Sequence, residues 1–317
     1  MYQPPRLRTF ARALVVCVLL ACAPMRTAGV QDAPSRAIAP GAIVATSAPA
    51  SVIGPAQGAI WQVDPRGAVR RLFATAPGIT PSMPVRSTGG AHLAYVVDGR
   101  ALWQLDAGSR VPHRLYALPA GSYQRLLSPR YQGDDLTFTA GCCAAFAIYR
   151  LRANRAQQLA GGGVRVLQDW SPDGTQMLYT MDGALWEADA NGARPHPVGN
   201  DAAGAGFFAD ARYSPDGSHL VASLIPAQGV GEGTHQELVL LHPDGRYLTV
   251  LTTHVPYAAS APTWSPDGKR IAFLVASGAL AGQGRLHDLW VMRYDGADTR
   301  NLTRGRLGDV TGAIWGR

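Results

Sequence analysis

Lysine is almost missing from this 317-residue chain: Lys269 is the only one, and arginine carries the basic charge. That bias points to no function. Charge of either sign is sparse, 16% of residues against 47% hydrophobic, which excludes a disordered polyelectrolyte. Catalytic signatures are absent too. There is no G-x-S-x-G elbow, which excludes an α/β-hydrolase nucleophile, and no H-E-x-x-H, P-loop or EF-hand loop. The apolar run from Ala13 to Ala21 is nine residues, less than half of the roughly 20 needed to span a bilayer core. Cysteine is scarce. Of four, Cys17 and Cys22 lie near the N-terminus, leaving the adjacent pair Cys142 and Cys143 as free thiols or a strained vicinal disulfide. No C-x-x-C or histidine-rich spacing accompanies them, so no metal site is read there. Glycine and proline, 36 and 23 residues, are plentiful and describe a turn-rich all-β protein.

What is present is a repeat. A phrase of small or acidic residue, aliphatic, aromatic or Val, any residue, aliphatic recurs six times, from Ala59-Ile60-Trp61-Gln62-Val63 to Asp288-Leu289-Trp290-Val291-Met292. Its central positions 61, 103, 149, 186, 239 and 290 are spaced 42, 46, 37, 53 and 51 residues apart. Strand-like content at this period predicts four-stranded blades around an axis. The recurring tryptophans alternate with aliphatics and read as blade packing, not as a cofactor box.

A second element precedes three copies: Trp170-Ser171-Pro172-Asp173-Gly174, Tyr213-Ser214-Pro215-Asp216-Gly217 and Trp264-Ser265-Pro266-Asp267-Gly268. Proline presets φ, aspartate caps the turn and glycine accepts positive φ, so each joins strand A of a blade to strand B. Ser87-Thr88-Gly89-Gly90 and Arg130-Tyr131-Gln132-Gly133 are degenerate versions. The stretch Ala261 to Phe273, with Asp288-Leu289-Trp290-Val291-Met292 and Asn301-Leu302-Thr303, resembles a TolB-type propeller repeat. The resemblance is strong in three blades, weaker in the others, and covers 41–317. It implies a six-bladed β-propeller. TolB's N-terminal α/β domain, which binds envelope partners, finds no room here, so its specific role is not carried over.

The two ends complete one blade. Gly41 to Thr46 reads as strand B, followed by C and D, while Gly308 to Arg317 aligns with strand A, Trp315 standing at the position of Trp264. The expected fold is an all-β propeller of six four-stranded blades, closed by N-terminal strands B, C and D pairing with a C-terminal strand A.

Residues 1–22 carry three arginines, then the short apolar run, and read as an export signal. Leu19-Leu20-Ala21-Cys22 resembles a bacterial lipobox, which implies a lipid on Cys22. The alternative is ordinary cleavage after Ala23, with Pro24 directly behind the cut. Loss of the signal lowers the formal charge from +7 to about +4. Residues 23–40 read as a flexible tether. The arginines are scattered, and the group Arg150, Arg152 and Arg155 reads as a solvated strand face; no nucleic-acid motif is present.

Loop length suggests where function sits. The B–C links at Ser47–Gly58, Ile225–Gln236 and Ser277–His287 are long, as are the D–A links at Val198–Asp210 and His254–Ala261. All emerge on one face, opposite the tight A–B and C–D turns. Glu232, His235, Arg285, His287 and Asp288 are its polar candidates for binding an envelope protein, peptide or small ligand. The expectation is a monomeric, lipid-anchored binding module at the cell surface or in the periplasm, without cofactor, metal or nucleic acid. The competing expectation is a propeller enzyme of lyase or lactonase type with a channel metal. Asp169, Asp210 and Asp309, at the channel-lining A strands, are the acids placed for that role.

Overall fold

A computed structural model describes residues 38–49, 57–109, 111–199, 206–226, 236–255, 258–277 and 286–315. They form strands β1 to β24 in six four-stranded antiparallel sheets. Blade one contains β1 (Ile43–Ala48), β2 (Ala59–Val63) and β3 (Val69–Ala74). Blade two is β4 (Pro81–Arg86), β5 (His92–Val97), β6 (Ala101–Asp106) and β7 (His113–Ala117). Blade three is β8 (Arg125–Gln132), β9 (Asp135–Cys142), β10 (Ala145–Arg152) and β11 (Arg155–Ala160). Blade four is β12 (Arg165–Trp170), β13 (Gln176–Met181), β14 (Ala184–Asp189) and β15 (His196–Pro197). Blade five is β16 (Gly206–Tyr213), β17 (Leu220–Pro226), β18 (Glu237–Leu241) and β19 (Tyr247–Val250). Blade six is β20 (Ala259–Trp264), β21 (Arg270–Ser277), β22 (Leu286–Arg293) and β23 (Arg300–Asn301).

The last strand, β24 (Asp309–Trp315), returns to pair with β1 in the order β24-β1-β2-β3. Ile43 stands opposite Trp315 and Ala48 opposite Asp309. The ring is therefore closed as the ends of the chain predict, and blade one has four strands like the other five. The Trp315 indole donates to the Gly41 carbonyl at 2.8 Å, and its main-chain N–H donates to Thr263 Oγ1 at 3.2 Å. One residue thus ties the N-terminal entry, blade one and blade six together.

The core is not one mass but six seams. Each cluster of buried apolar side chains joins two neighbouring blades, as with Val221, Leu238 and Leu240 of blade five against Trp264, Ile271 and Phe273 of blade six. The seam between blades six and one is as well filled, by Ile43, Val63, Leu289, Val291 and Trp315. This is why B and C strands read as near-continuous apolar runs: both faces of each blade are covered.

The Ser-Pro-Asp-Gly turns are self-contained hydrogen-bonded units. Ser171, Ser214 and Ser265 each donate their hydroxyl to the turn aspartate at 2.6 Å. The same hydroxyls accept the N–H that opens the next strand, from Gln176, His219 and Arg270 at 2.9, 3.0 and 2.9 Å. The aspartates are consumed by turn geometry, as expected from Pro-Asp-Gly. Glycine is required on close approach at Gly245: its φ is +81°, and a Cβ there would lie 2.7 Å from the Gly199 nitrogen of the adjoining blade.

Candidate functional site

All six A strands carry an irregularity at the same level. Register shifts fall at Ser82/Val85, Leu127/Arg130, Leu167/Asp169, Ala209/Arg212 and Ser260/Thr263, and in β24 opposite Thr46/Ser47. Met83, Ser128, Asp210 and Ala261 adopt φ near +50° there. In three blades a proline follows (Pro84, Pro129, Pro262), which can donate no ladder bond and suits a bulge. A bulge re-aims the residues beyond it. Val85, Arg130, Asp169, Arg212, Thr263 and Ile314, one per blade, form a ring that lines a cavity of about 300 Å³ at the mouth of the channel. The cavity also includes Ser171, Pro172, Asp173 and Gly174, so it opens on the face of the tight A–B turns.

The ring has two unlike arcs. Blades three, four and five contribute Arg130, Asp169 and Arg212; blades six, one and two contribute Thr263, Ile314 and Val85. The charged arc is rigidly held. Arg130 Nε donates to the Gln168 carbonyl at 2.7 Å and its Nη1 to the Pro129 carbonyl at 2.5 Å. Arg212 Nη1 donates to the same Gln168 carbonyl at 2.6 Å and to the Ala211 carbonyl at 2.8 Å. These main-chain acceptors fix both guanidinium groups, and the charge that faces Arg130 comes from Asp169 and Asp210. Asp169 lies 4.0 Å from Arg130 Nε, and its Oδ2 accepts the Tyr213 N–H at 3.0 Å. Burial lowers the pKa of Arg130, while Asp169 and Asp210 oppose that shift. Burial raises the Asp210 carboxyl, Arg130 acting against it, and Asp210 Oδ2 accepts the Ala261 N–H at 3.2 Å.

Aromatic and arginine side chains one residue further along make the outer wall: Arg86, Tyr131, Trp170, Tyr213, Trp264 and Trp315. They are braced from the preceding blade. Tyr131 donates to Gln104 Oε1 at 2.7 Å, and Tyr213 donates to Glu187. Gln104 and Glu187 hold the same place in the repeat, directly after Trp103 and Trp186. Burial, then Glu187, push the Tyr213 phenol well above its ordinary pKa. Trp170 Nε1 donates to Thr137 Oγ1 at 2.9 Å and Trp264 Nε1 to the Arg212 carbonyl at 3.2 Å. Arg86 is the exception: its Nε is buried without a partner among the described residues, and burial lowers its pKa.

The residues singled out from sequence scatter. Glu232, His235 and Arg285 lie outside the described residues, as do Cys22 and the signal. His287 and Asp288 belong to strand β22, not to a loop. Asp288 is buried; it accepts from Thr303 Oγ1 at 2.6 Å, Gly305 N at 2.7 Å and Asn301 Nδ2 at 3.0 Å. Its carboxylate is spent fastening the end of blade six, so it offers nothing to an outside ligand. His287 Nδ1 lies 2.9 Å from Asp309 Oδ1, which also accepts the His287 N–H at 2.9 Å. Asp309 opens β24 at the far end of the channel, so the three acids do not converge. Only Asp169 and Asp210 meet, around Arg130. Among the described residues no three His, Cys, Asp or Glu side chains stand together in a way that could hold a metal. Arg130 and Arg212 were not among the candidates. Their signal lay one residue before the repeat's aromatic, where Arg212 aligns with Asp169 and Thr263.

No family model matches the chain, and neither does any curated protein. Solved structures match at the level of fold. A TolB-type protein of Agrobacterium tumefaciens superposes with a TM-score of 0.60 at 18% identity, covering 74% of this chain and 84% of that one. A chain of a nidogen/laminin complex reaches 0.64 at 11% identity, covering 86% and 98%. A chain of a mitotic checkpoint complex reaches 0.50 at 15%, covering 93% and 88%. The chain is thus a six-bladed β-propeller with a TolB-like fold, and identities this low carry the fold alone.

Proposed function

We propose that this chain is an exported, lipid-anchored binding module that recognises an envelope protein, peptide or small ligand through the mouth of its channel. The observation that carries the reading is the cavity of about 300 Å³, built from one residue of every blade, with its charged side chains held in place by main-chain bonds. Preorganised polar groups in a concave site suit recognition. The mouth is opposite the long-loop face expected from loop length, so the proposal moves the binding surface to the other side of the ring.

The entry of the chain supports this placement. Residues 38–42 approach β1 from the tight-turn face, where Pro40 and Gly41 lie against Ser265, Pro266 and Asp267. A lipid on Cys22 would therefore be tethered on the side where the mouth opens, within about 55 Å for a fully extended link of 16 residues. A partner at or near the membrane surface is within reach of such a site.

The test is affinity capture from envelope extracts with the mature chain and its Arg212→Glu variant. The proposal expects a protein captured by the first and lost with the second, both assayed well below the melting transition of the less stable chain. Equal capture by both would overturn it. A lyase-type enzyme would instead bind a divalent metal stoichiometrically, which elemental analysis of the same preparations detects.

A further inference from the structure

We infer that the outer seam between blades six and one docks on the anionic headgroups of a phospholipid membrane, an inference that rests on the lipid-anchored reading just given. The first observation is a cluster of arginines around the turn Asp64-Pro65-Arg66-Gly67, where blade one meets the outer strand of blade six. Arg66, Arg270 and Arg300 line a cleft of about 640 Å³ together with Gln62, Asp64 and residues 39–42. Arg70 joins them through Gln62, to whose Oε1 its Nη2 donates at 2.7 Å. Arg306 reaches in from the link after β23, its Nη2 donating to the Gly67 carbonyl at 2.7 Å. Arg300 Nη2 donates to the Pro65 carbonyl at 3.2 Å, while its Nε is buried without a partner among the described residues.

The second observation is the charge balance. At the margin of the cluster Arg270 faces Asp298 at 4.0 Å, Arg293 faces Asp295 at 2.5 Å, and Lys269 shares its turn with Asp267. These pairs offset one another. Arg66, Arg70, Arg300 and Arg306 remain against Asp64, an excess of three positive charges. Asp64 is itself held in its turn, where Oδ1 accepts the Arg66 N–H at 2.7 Å. Arg66 and Arg306 are exposed. The turns of blades four and five carry the opposite balance, Asp173, Asp189, Asp216 and Asp244 against Arg194 and Arg246. An anionic surface is therefore drawn to one sector of the ring and repelled by the sector across from it.

The third observation is where the chain enters. The Ala39 N–H donates to Gln62 Oε1 at 3.3 Å, the same oxygen that Arg70 holds, and residues 39–42 wall the cleft. The chain thus runs back toward Cys22 from the arginine cluster itself. Acyl chains on Cys22 would bring headgroups to this seam before any other part of the ring. The anchor supplies retention, and the arginines supply orientation by turning the seam toward the bilayer.

The test uses the mature chain, residues 22–317, made without the signal and so without acyl groups. It is sedimented with vesicles of phosphatidylethanolamine and phosphatidylglycerol, or of phosphatidylcholine alone. The chain should bind the anionic vesicles and not the zwitterionic ones, and about 0.5 M salt should release it. Arg66→Gln combined with Arg306→Gln should weaken the partition roughly fivefold for each arginine removed. Arg194→Gln combined with Arg246→Gln removes the same charge from blades four and five and should not weaken it. All chains are compared below the melting transition of the least stable. Equal binding to both kinds of vesicle, equal loss in the two double variants, or no binding to the anionic vesicles would each overturn the inference. The mass of the N-terminal peptide of the parent chain, purified from envelopes, reports acylation of Cys22 separately. An unacylated parent whose bare chain binds anionic vesicles keeps the patch and refutes the anchor; an acylated parent whose bare chain ignores them keeps the anchor and refutes the patch.

Discussion

Trp315→Ala tests whether closure by the last strand holds the ring. The indole is 4% exposed and packs in the seam with Ile43, Val63, Leu289 and Val291. Truncating a core tryptophan to alanine costs ~3–5 kcal/mol. Losing the bond to the Gly41 carbonyl adds about 1 kcal/mol. The sum, ~4–6 kcal/mol, is a large share of a domain stability of ~5–15 kcal/mol. Unfolding entropy of roughly 2 cal/mol/K per residue over about 275 residues converts it to a fall in Tm of ~7–10 °C. Differential scanning calorimetry measures the fall, and Trp170→Ala is the control, because Trp170 is equally buried and bonded but lies inside blade four. Both variants should lose comparable stability. Only Trp315→Ala should accelerate amide exchange in β1 and β24, whose mutual pairing it pins. A Tm within 2 °C of the parent, or exchange in β1 unchanged despite a large fall, would refute the reasoning.

Other expectations follow from the same contacts. The Asp216 carboxylate is pulled down to about 2 by the Ser214 hydroxyl, then by the Ser218 N–H and hydroxyl. A depressed acid stabilises the fold above its unfolded pKa and loses that contribution as pH falls through the folded value. Asp216→Asn should therefore cost ~1 kcal/mol at neutral pH, after discounting for the side chain's exposure, and the difference from the parent should vanish between pH 4 and pH 2 in acid titrations followed by circular dichroism. Asp288→Ala removes the acceptor for three donors and should destabilise by ~2–4 kcal/mol in urea unfolding, with the captured proteins unchanged. Gly245→Ala should cost ~2 kcal/mol, since it meets both positive φ and the Gly199 backbone, while Gly108→Ala, with open space around it, should cost about half as much.

The fold was readable because the repeat speaks at several levels at once. Trp264-Ser265-Pro266-Asp267-Gly268 reports a strand end, a turn and a strand start in five residues, and the spacing of six phrases counts the blades. Trp315 announced the closing strand because it occupies the place of Trp264. The mouth was harder to see. Arg130, Asp169, Arg212, Thr263, Val85 and Ile314 share a position but no chemistry, so no pattern marks them. What brings them together is the bulge in each A strand, signalled only faintly by Pro84, Pro129 and Pro262. Loop length pointed to the opposite face because insertions are visible in a sequence, whereas a concave ring of short turns is not. Asp288 misled for a related reason: an acid at the edge of a long insertion looks exposed, yet Asn301, Thr303 and Gly305 draw it inside.

The central claim is that a partner docks on the channel mouth. A photo-crosslinking amino acid at Thr88, which lines the mouth, and another at Tyr123, which is 89% exposed in the D–A link on the opposite face, read it directly in whole cells. Docking at the mouth predicts a discrete crosslinked product from position 88 that Arg212→Glu abolishes, and none from position 123. A product from position 123 alone, or one from position 88 that survives Arg212→Glu, would contradict it.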